Sequence, residues 1–284
     1  MYHFSLIAKP VHHSKSPLMQ NKALKELGVN GVYTRYELEN GDNLKSKFIS
    51  LKLDGANVSL PYKTDALMQS DYKSDSSKAI SSSNTLVYKN NSLYAYNTDF
   101  LGFLASLGLL DNQTSFKNAL ILGAGGTTKA LVYALKLKNI QVTIANKSSS
   151  RFKDFDVKCV LYDELDLNDK YDLIINATSA SLDNTLPCDE NILKSLFKNT
   201  YYAYEVGYFG SPFLELFKDI KKDDILRGKA FFQDGAYMLC YQGAFSLMYF
   251  LGLVCEDEQI FLKNEKLQKK AFDIAKIMYN TAFL

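Results

Sequence analysis

The chain has 284 residues, 47% of them hydrophobic, and its charges nearly cancel at a formal +2. That length holds one large or two ordinary domains with a real core, and without a basic or acidic tail nucleic acid is not an expected partner. The four cysteines (Cys159, Cys188, Cys240, Cys255) make no C-x-x-C pair and the three histidines all precede residue 14, so no metal site is spelled out and reduced thiols in a cytoplasmic protein are expected.

In chain order, residues 2–8 read as a strand. Ser16-Pro17 looks like a helix N-cap followed by proline at the first helical position, and Gly28 is the C-cap candidate. Residues 32–38 predict a strand, 44–53 a helix, and 56–60 a short strand ended by Pro61. Residues 85–88 and 93–96 predict two strands around the turn Asn90-Asn91, and 99–110 a helix. Such alternation implies an α/β domain.

Residues 118–147 carry the sharpest signal. An apolar run stops at Gly123-Ala124-Gly125-Gly126, a helical pattern follows, and a second apolar run covers 142–145. Strand, glycine turn, helix and strand form the first half of a dinucleotide-binding unit. The glycines let the backbone approach a pyrophosphate, and the helix N-terminus faces that anion. NAD-binding units place an acidic residue about 20 positions past the glycines. Here Asn146-Lys147-Ser148 stand there, with Arg151 just beyond, which favours the 2′-phosphate of NADP. A P-loop is rejected: Thr128 occupies its second glycine position and Ala130 its hydroxyl position.

Residues 171–176 and 201–205 predict later strands, and Gly228 to the end reads as almost all helix. The stretch 235–255 is uncharged, but Asp234 and Glu256-Asp257-Glu258 flank it and Gln242 lies within it. No lysine or arginine bias flanks it, so a long buried helix is expected rather than a membrane span.

Three polar clusters mark element ends in the first hundred residues: His13-Ser14-Lys15-Ser16-Pro17, Asn57 to Lys63, and Asn97-Thr98-Asp99. Taken singly, each reads as capping or surface chemistry. Together with the rest they form an ordered set: HSKSP, NVSLPYK, SSNTL, NTD, GAGG, NKSSSR, NATS, YFGSPF and DGAYMLCYQ. In this set the chain resembles the shikimate dehydrogenase family over nearly its whole length.

The resemblance implies NADPH-dependent reduction of 3-dehydroshikimate to shikimate, in the aromatic amino-acid pathway. It implies an α/β fold of two domains, a substrate-binding domain over 1–102 and a Rossmann-type NADP-binding domain over 103–235. Helices over 236–284 would return to the first domain, with the active site in the cleft between domains. By motif, Lys63 and Asp99 become the catalytic pair. Ser14, Ser16, Ser59, Asn84 and Gln242 become substrate ligands, with Tyr208 near the substrate. Gly123, Ala124, Gly125 and Gly126 take the pyrophosphate side, Asn146, Lys147, Ser148 and Arg151 the adenosine phosphate side, and Thr178 and Gly235 join the cofactor set.

The chemistry agrees on its own terms. Serine hydroxyls can hold a carboxylate, and the amides of Asn57, Asn84 and Gln242 can both donate to and accept from ring hydroxyls. A lysine ammonium can stabilise the oxyanion left by hydride addition and supply its proton. The chain departs from the family at Ser59, where threonine is usual, at Lys147, where arginine is usual, and at Ala180-Ser181, where a glycine is common. The segment around Tyr208 is also shorter than in many relatives. A small-molecule substrate and no membrane are expected, as monomer or homodimer. The rival readings are an NAD-linked enzyme acting on quinate or a related cyclitol acid, and a non-catalytic NADP-binding regulator.

Overall fold

A computed structural model of the chain describes residues 1–110 and 114–284. The chain divides into two units, Met1–Ser106 with Tyr237–Leu284, and Leu107–Ala236. Both are α/β.

The first unit opens with β1 (Tyr2–Ala8), α1 (Ser16–Glu26), β2 (Gly31–Glu37), α2 (Leu44–Ser50) and β3 (Gly55–Val58). Next come α3 (Lys63–Met68), β4 (Tyr72–Lys73), α4 (Asp75–Ile80), β5 (Thr85–Lys89), β6 (Ser92–Tyr96) and α5 (Asp99–Ser106). The sheet runs β2-β1-β3-β5-β6-β4. β1 is parallel to both β2 and β3, and a strand covered on both faces needs an apolar run. Phe4, Leu6, Ile7 and Ala8 supply it.

Local chemistry explains most of the boundaries. α1 starts at Ser16, one residue earlier than a Ser16 cap requires, with Lys15 at the cap position and the Ser14 hydroxyl accepting the Ser16 N–H at 3.2 Å. Gly28 follows its end with φ +66°, the left-handed C-terminal position that glycine fills without strain. Asn90 and Asn91 both have positive φ, as a two-residue hairpin turn between β5 and β6 demands. α2 and α5 stop at Ser50 and Ser106, short of the expected 53 and 110. The elements α3, β4 and α4 have six, two and six residues, too few for periodicity to reveal.

The second unit has β7 (Asn118–Leu122), α6 (Gly126–Leu137), β8 (Gln141–Asn146), β9 (Lys158–Leu161), β10 (Leu173–Asn176), α7 (Glu190–Lys198), β11 (Tyr202–Glu205), α8 (Pro212–Ile220), α9 (Lys222–Leu226) and β12 (Phe231–Gln233). Its strands are all parallel, in the order β12-β11-β10-β7-β8-β9. Counted within this unit that is 6-5-4-1-2-3, the doubly wound dinucleotide-binding order, with β7 and β10 at the reversal point. Leu120, Leu122, Ile174, Phe197, Phe213 and Phe217 fill one side of the sheet. β12 is the exception to the almost all-helical reading from Gly228. This short edge strand forms because β11 offers it a hydrogen-bonding edge, a long-range partner that local pattern does not show.

The chain then returns to the first unit through α10 (Ala236–Phe250), a single-turn helix (Glu258–Leu262) and α11 (Glu265–Ala282). The uncharged stretch is α10, and it ends at Phe250 rather than 255. It is buried against its own unit: a Cβ at Gly102 of α5 would lie 2.8 Å from the Met238 carbonyl and 2.9 Å from the Gln242 nitrogen. One at Gly55 of β3 would lie 2.5 Å from the Phe250 ring. Among the described residues no helix is long and apolar enough to cross a membrane.

Gly102 is therefore where α5 and α10 touch backbone to backbone. Gly102→Ala is expected to destabilise the protein by about 1–3 kcal/mol through overpacking, read as a lower melting temperature. An unchanged melting curve would contradict this close crossing.

Candidate active site

The register of the first sheet gathers polar residues along one edge. β1 and β3 run parallel, so the loop carrying Ser14 and Ser16 and the loop carrying Ser59 and Lys63 leave the same end. β5 is antiparallel to β3 and β6, and Thr85 pairs with both Asn57 and Tyr96. That brings Asn84, just before β5, and Asn97 to Asp99, just after β6, to this same edge. The carboxyl ends of parallel strands are where α/β sheets place their ligands.

Lys63 and Asp99 meet there. Lys63 Nζ donates to Asp99 Oδ2 at 2.5 Å, with only 16% and 10% of the two side chains exposed. A pair so enclosed must stay paired, because loss of one partner strands a charge with little water around it. The second Asp99 oxygen accepts Asn84 Nδ2 at 2.8 Å. The amide of Asn84 has only one workable orientation. Its Oδ1 faces the Thr98 backbone N–H at 2.8 Å, which can only donate, so Nδ2 faces Asp99 and Gln242 Oε1.

Further hydrogen bonds fix this arrangement from behind. Ser246 of α10 sits among Thr85, Thr98 and Asn57, with Oγ distances of 2.7, 2.9 and 2.8 Å. Tyr33 donates to Asn57 Oδ1 at 2.9 Å, and its complete burial pushes the phenol pKa well above the ordinary range. Gln242 projects from α10 and donates to the Leu239 carbonyl at 2.9 Å. Ser14 and Ser59 lie in the loops after β1 and β3 and are partly exposed, and Ser16, buried, opens α1.

In the second unit the glycine turn joins β7 to α6 at the reversal point. Gly123 has φ +103°, and a Cβ there would lie 2.9 Å from Thr178 Cγ2 and 3.2 Å from the Ala177 carbonyl. That glycine is required by the fold. Gly125 differs: φ is −86°, and an added Cβ would meet only the Ala177 oxygen at 3.9 Å. No steric contact within the protein demands a glycine at 125, which is the N-cap of α6. Thr128 ties the turn, accepting the Gly125 N–H at 3.2 Å and donating to the Gly123 carbonyl at 2.8 Å. Gly126 is the first residue of α6.

Asn146 ends β8, and its amide donates to the Ser148 carbonyl at 2.9 Å. Lys147, Ser148 and Arg151 are exposed, and neither cation has an ion-pair partner among the described residues. A basic loop at the end of the second strand, with its charges unspent, suits a phosphate.

At the ends of β10 and β11 a buried carboxylate organises the loops. Glu205 accepts from Asn176 Nδ2 and Ser211 Oγ, both at 2.7 Å, and from the Gly207 N–H at 2.8 Å. Burial raises its pKa in spite of these bonds and one from Ser181. Ser181 of the Ala180-Ser181 departure is thus drawn inward onto Glu205. Asn176 Oδ1 in turn accepts the Thr178 hydroxyl at 2.7 Å. Gly235 is bare for an internal reason: a Cβ would sit 2.0 Å from the Val206 carbonyl. Tyr208 is half-buried with its ring 4.3 Å from that of Phe209, and burial raises its pKa.

The sequence-derived residues of the first unit divide cleanly. Lys63, Asp99, Asn84, Asn57 and Gln242 join one hydrogen-bonded system, whereas Ser14, Ser16 and Ser59 share only its sheet edge. Tyr208 belongs to the second unit, with the nucleotide-type loops. Tyr33, Thr85 and Ser246 were not foreseen. No local motif marks Tyr33 or Ser246, which reach the network across the sheet and from a distant helix, and although Thr85 lies in SSNTL, its bonds to Thr98 and Ser246 form only in the fold. Among the described residues no cluster of three or more His, Cys, Asp or Glu could hold a metal ion.

These two units, one with a doubly wound parallel sheet and one with a buried lysine–carboxylate pair at a sheet edge, have clear relatives. The family model for the shikimate dehydrogenase substrate binding domain matches residues 6–86. The chain is 42% identical over 253 residues to a shikimate dehydrogenase (NADP(+)) of Helicobacter pylori strain ATCC 700392 / 26695, covering 87% of this chain and 91% of that protein. It is 40% identical, with the same coverage, to one of Helicobacter acinonychis strain Sheeba. The crystal structure of shikimate dehydrogenase from Aquifex aeolicus superposes with a TM-score of 0.76 at 29% identity, over 95% of this chain and 98% of that one. The chain belongs to the shikimate dehydrogenase family.

The contrast between the two turn glycines is testable. Gly125→Ala is expected to leave the melting temperature within about 1 °C, since surface changes free of strain usually stay within about 0.5 kcal/mol. It should also weaken dinucleotide binding by at least about tenfold in calorimetry, as the methyl fills space at the turn. Unaltered binding would place the nucleotide elsewhere.

Proposed function

We propose that the chain catalyses the reversible, NADP-dependent reduction of 3-dehydroshikimate to shikimate. The observation that carries this reading is the Lys63–Asp99 pair, held by Asn84 at a sheet edge in a chain about 40% identical to NADP-linked shikimate dehydrogenases. Bound NADPH supplies the hydride.

The residues of the second unit fit that cofactor. Gly123, Ala124, Gly125 and Gly126 present bare backbone for a pyrophosphate, and Asn146, Lys147, Ser148 and Arg151 hold the 2′-phosphate. Lysine at 147 brings charge without the planar fork of arginine. Thr178 packs against Gly123 and orders the neighbouring loop. Gly235 serves that unit by its close approach to Val206.

The first unit handles substrate and proton. Ser14, Ser16 and Ser59 offer hydroxyls to a carboxylate. Asn84 and Gln242 exchange their mutual bond for ring hydroxyls, whereas Asn57, 6% exposed with both polar atoms bonded inside the protein, holds the network in place. The Lys63 ammonium stabilises negative charge on the carbonyl oxygen and delivers its proton in the reducing direction; neutral Lys63 removes that proton in reverse. Asp99 keeps Lys63 aimed and accepts from a substrate hydroxyl. No step requires nucleic acid or a membrane.

The direct test is absorbance at the nicotinamide band with shikimate or quinate and NADP or NAD, in all four pairings. Turnover with shikimate and NADP above the other three supports the proposal, and turnover with quinate and NAD alone would refute it. Lys63→Ala should lower kcat by about 10²–10⁴-fold with a smaller change in KM; wild-type kcat would remove Lys63 from the mechanism. Lys147→Ala combined with Arg151→Ala should weaken NADP binding by more than about tenfold and leave NAD binding nearly unchanged, each charged hydrogen bond contributing about 1.5–3 kcal/mol. An equal loss for both cofactors would show that these residues act on folding.

A further inference from the structure

Glu258 is a carboxyl group with no task in the chemistry above. It starts the single-turn helix Glu258–Leu262 between α10 and α11 and is 0% exposed. Its Oε1 accepts the Ser74 hydroxyl at 2.9 Å and, closer still, the Asn97 backbone N–H. Its Oε2 is buried without a hydrogen-bond partner. The titratable groups facing it are Asp257 and the Tyr96 and Tyr249 phenols, with Glu256 beyond Tyr249, and none is a cation. Burial, with the Asp257 charge adding to it, pushes its pKa up to about 8. At neutral pH the group is mostly a neutral acid, which suits an oxygen with no partner.

Asn97 links this acid to the catalytic pair. Its side-chain Oδ1 accepts the Asp99 N–H at 3.1 Å, and its Nδ2 donates to the Ser82 carbonyl at 3.0 Å. Asp99 is the first residue of α5 and carries the carboxylate that meets Lys63. Glu258 thus grips the backbone at Asn97, and Asn97 grips the backbone at Asp99. The neighbouring Asp257 does something else. Its Oδ2 accepts the Asp75 N–H at 2.7 Å and its Oδ1 the Ser76 hydroxyl at 3.1 Å, so it holds α4.

We propose that Glu258 is a positioning residue, holding the Asn97–Asp99 turn so that the Asp99 carboxylate stays on the Lys63 ammonium. It rests on the oxidoreductase reading of that pair. It also assigns a purpose to a buried acid that burial alone would otherwise select against.

The test uses the full chain with Glu258→Ala, Glu258→Gln and Asp257→Ala, assayed with shikimate and NADP well below the melting temperature of each. A displaced catalytic group costs up to about 100-fold in rate. Glu258→Ala should lower kcat by about 10- to 100-fold with little change in KM. Glu258→Gln keeps the Asn97 acceptor and mimics the neutral acid, so it should hold kcat within about threefold of wild type. Asp257→Ala should lower the melting temperature and spare kcat. Should Glu258→Ala fail to fold, Glu258→Asp, which withdraws the acceptor by one methylene, should show the same loss in smaller measure.

A substrate-free reading separates this from the function itself. The ¹⁵N resonance of the Lys63 ammonium should move in Glu258→Ala and stay in place in Glu258→Gln and Asp257→Ala. If wild type fails to turn over shikimate yet the Lys63 signal follows this pattern, the proposed function fails and the positioning role stands. Wild-type kcat and an unmoved Lys63 signal in Glu258→Ala would overturn the proposal. So would equal kcat losses in Glu258→Ala and Asp257→Ala, which would reduce both to general packing of the turn.

Discussion

A lysine and an aspartate 36 positions apart share one hydrogen bond with little water around them. Such a pair is only as good as its surroundings, because each charge lost water to reach its place and recovers that loss only through well-aimed contacts. The first unit is arranged to aim them. Asn84 holds one carboxylate oxygen, and the Thr98 backbone decides which way Asn84 faces. Three hydroxyls, on Thr85, Thr98 and Ser246, close the space behind. The sheet register makes this possible by ending β3, beginning β5 and ending β6 at one edge.

The second unit follows a different constraint, that of backbone brought bare to a turn. All six of its strands are parallel, and β7 stands where their order reverses. The glycines after β7 are not equivalent. Gly123 is bare because Thr178 and Ala177 leave no room, and Gly235 because Val206 leaves none, whereas Gly125 is bare with room to spare. Of the three, only Gly125 is not required by contacts within the protein. Glu205 fixes the loops near this turn by a similar economy, one buried carboxylate accepting from side chains or backbone of several loop residues.

Much of this is legible in the sequence. The α/β alternation, the glycine turn with its flanking strands and the missing acidic residue near Asn146 are local signals, written within about 30 residues and carried by periodicity and turn chemistry. The Asn90-Asn91 hairpin and the Gly28 helix stop are equally local, since a positive φ is demanded of the residue itself. The short elements between residues 61 and 84 were not legible, nor was β12, because six residues or fewer hold less than two helical turns and an edge strand exists only beside its neighbour.

Sequence by itself therefore determined the class of fold, the nucleotide-type turn and a set of candidate site residues. Tertiary structure alone decided how those residues are held. Lys63 could have been one surface lysine among thirty; a 2.5 Å contact with Asp99 makes it half of a buried pair. Tyr33, Ser246 and Glu258 carry no motif, and each matters through a hydrogen bond that spans 24, 189 or 161 positions of chain. The physical reason is that a hydrogen bond reads distance and direction in space, whereas motif and periodicity record only what lies nearby along the chain.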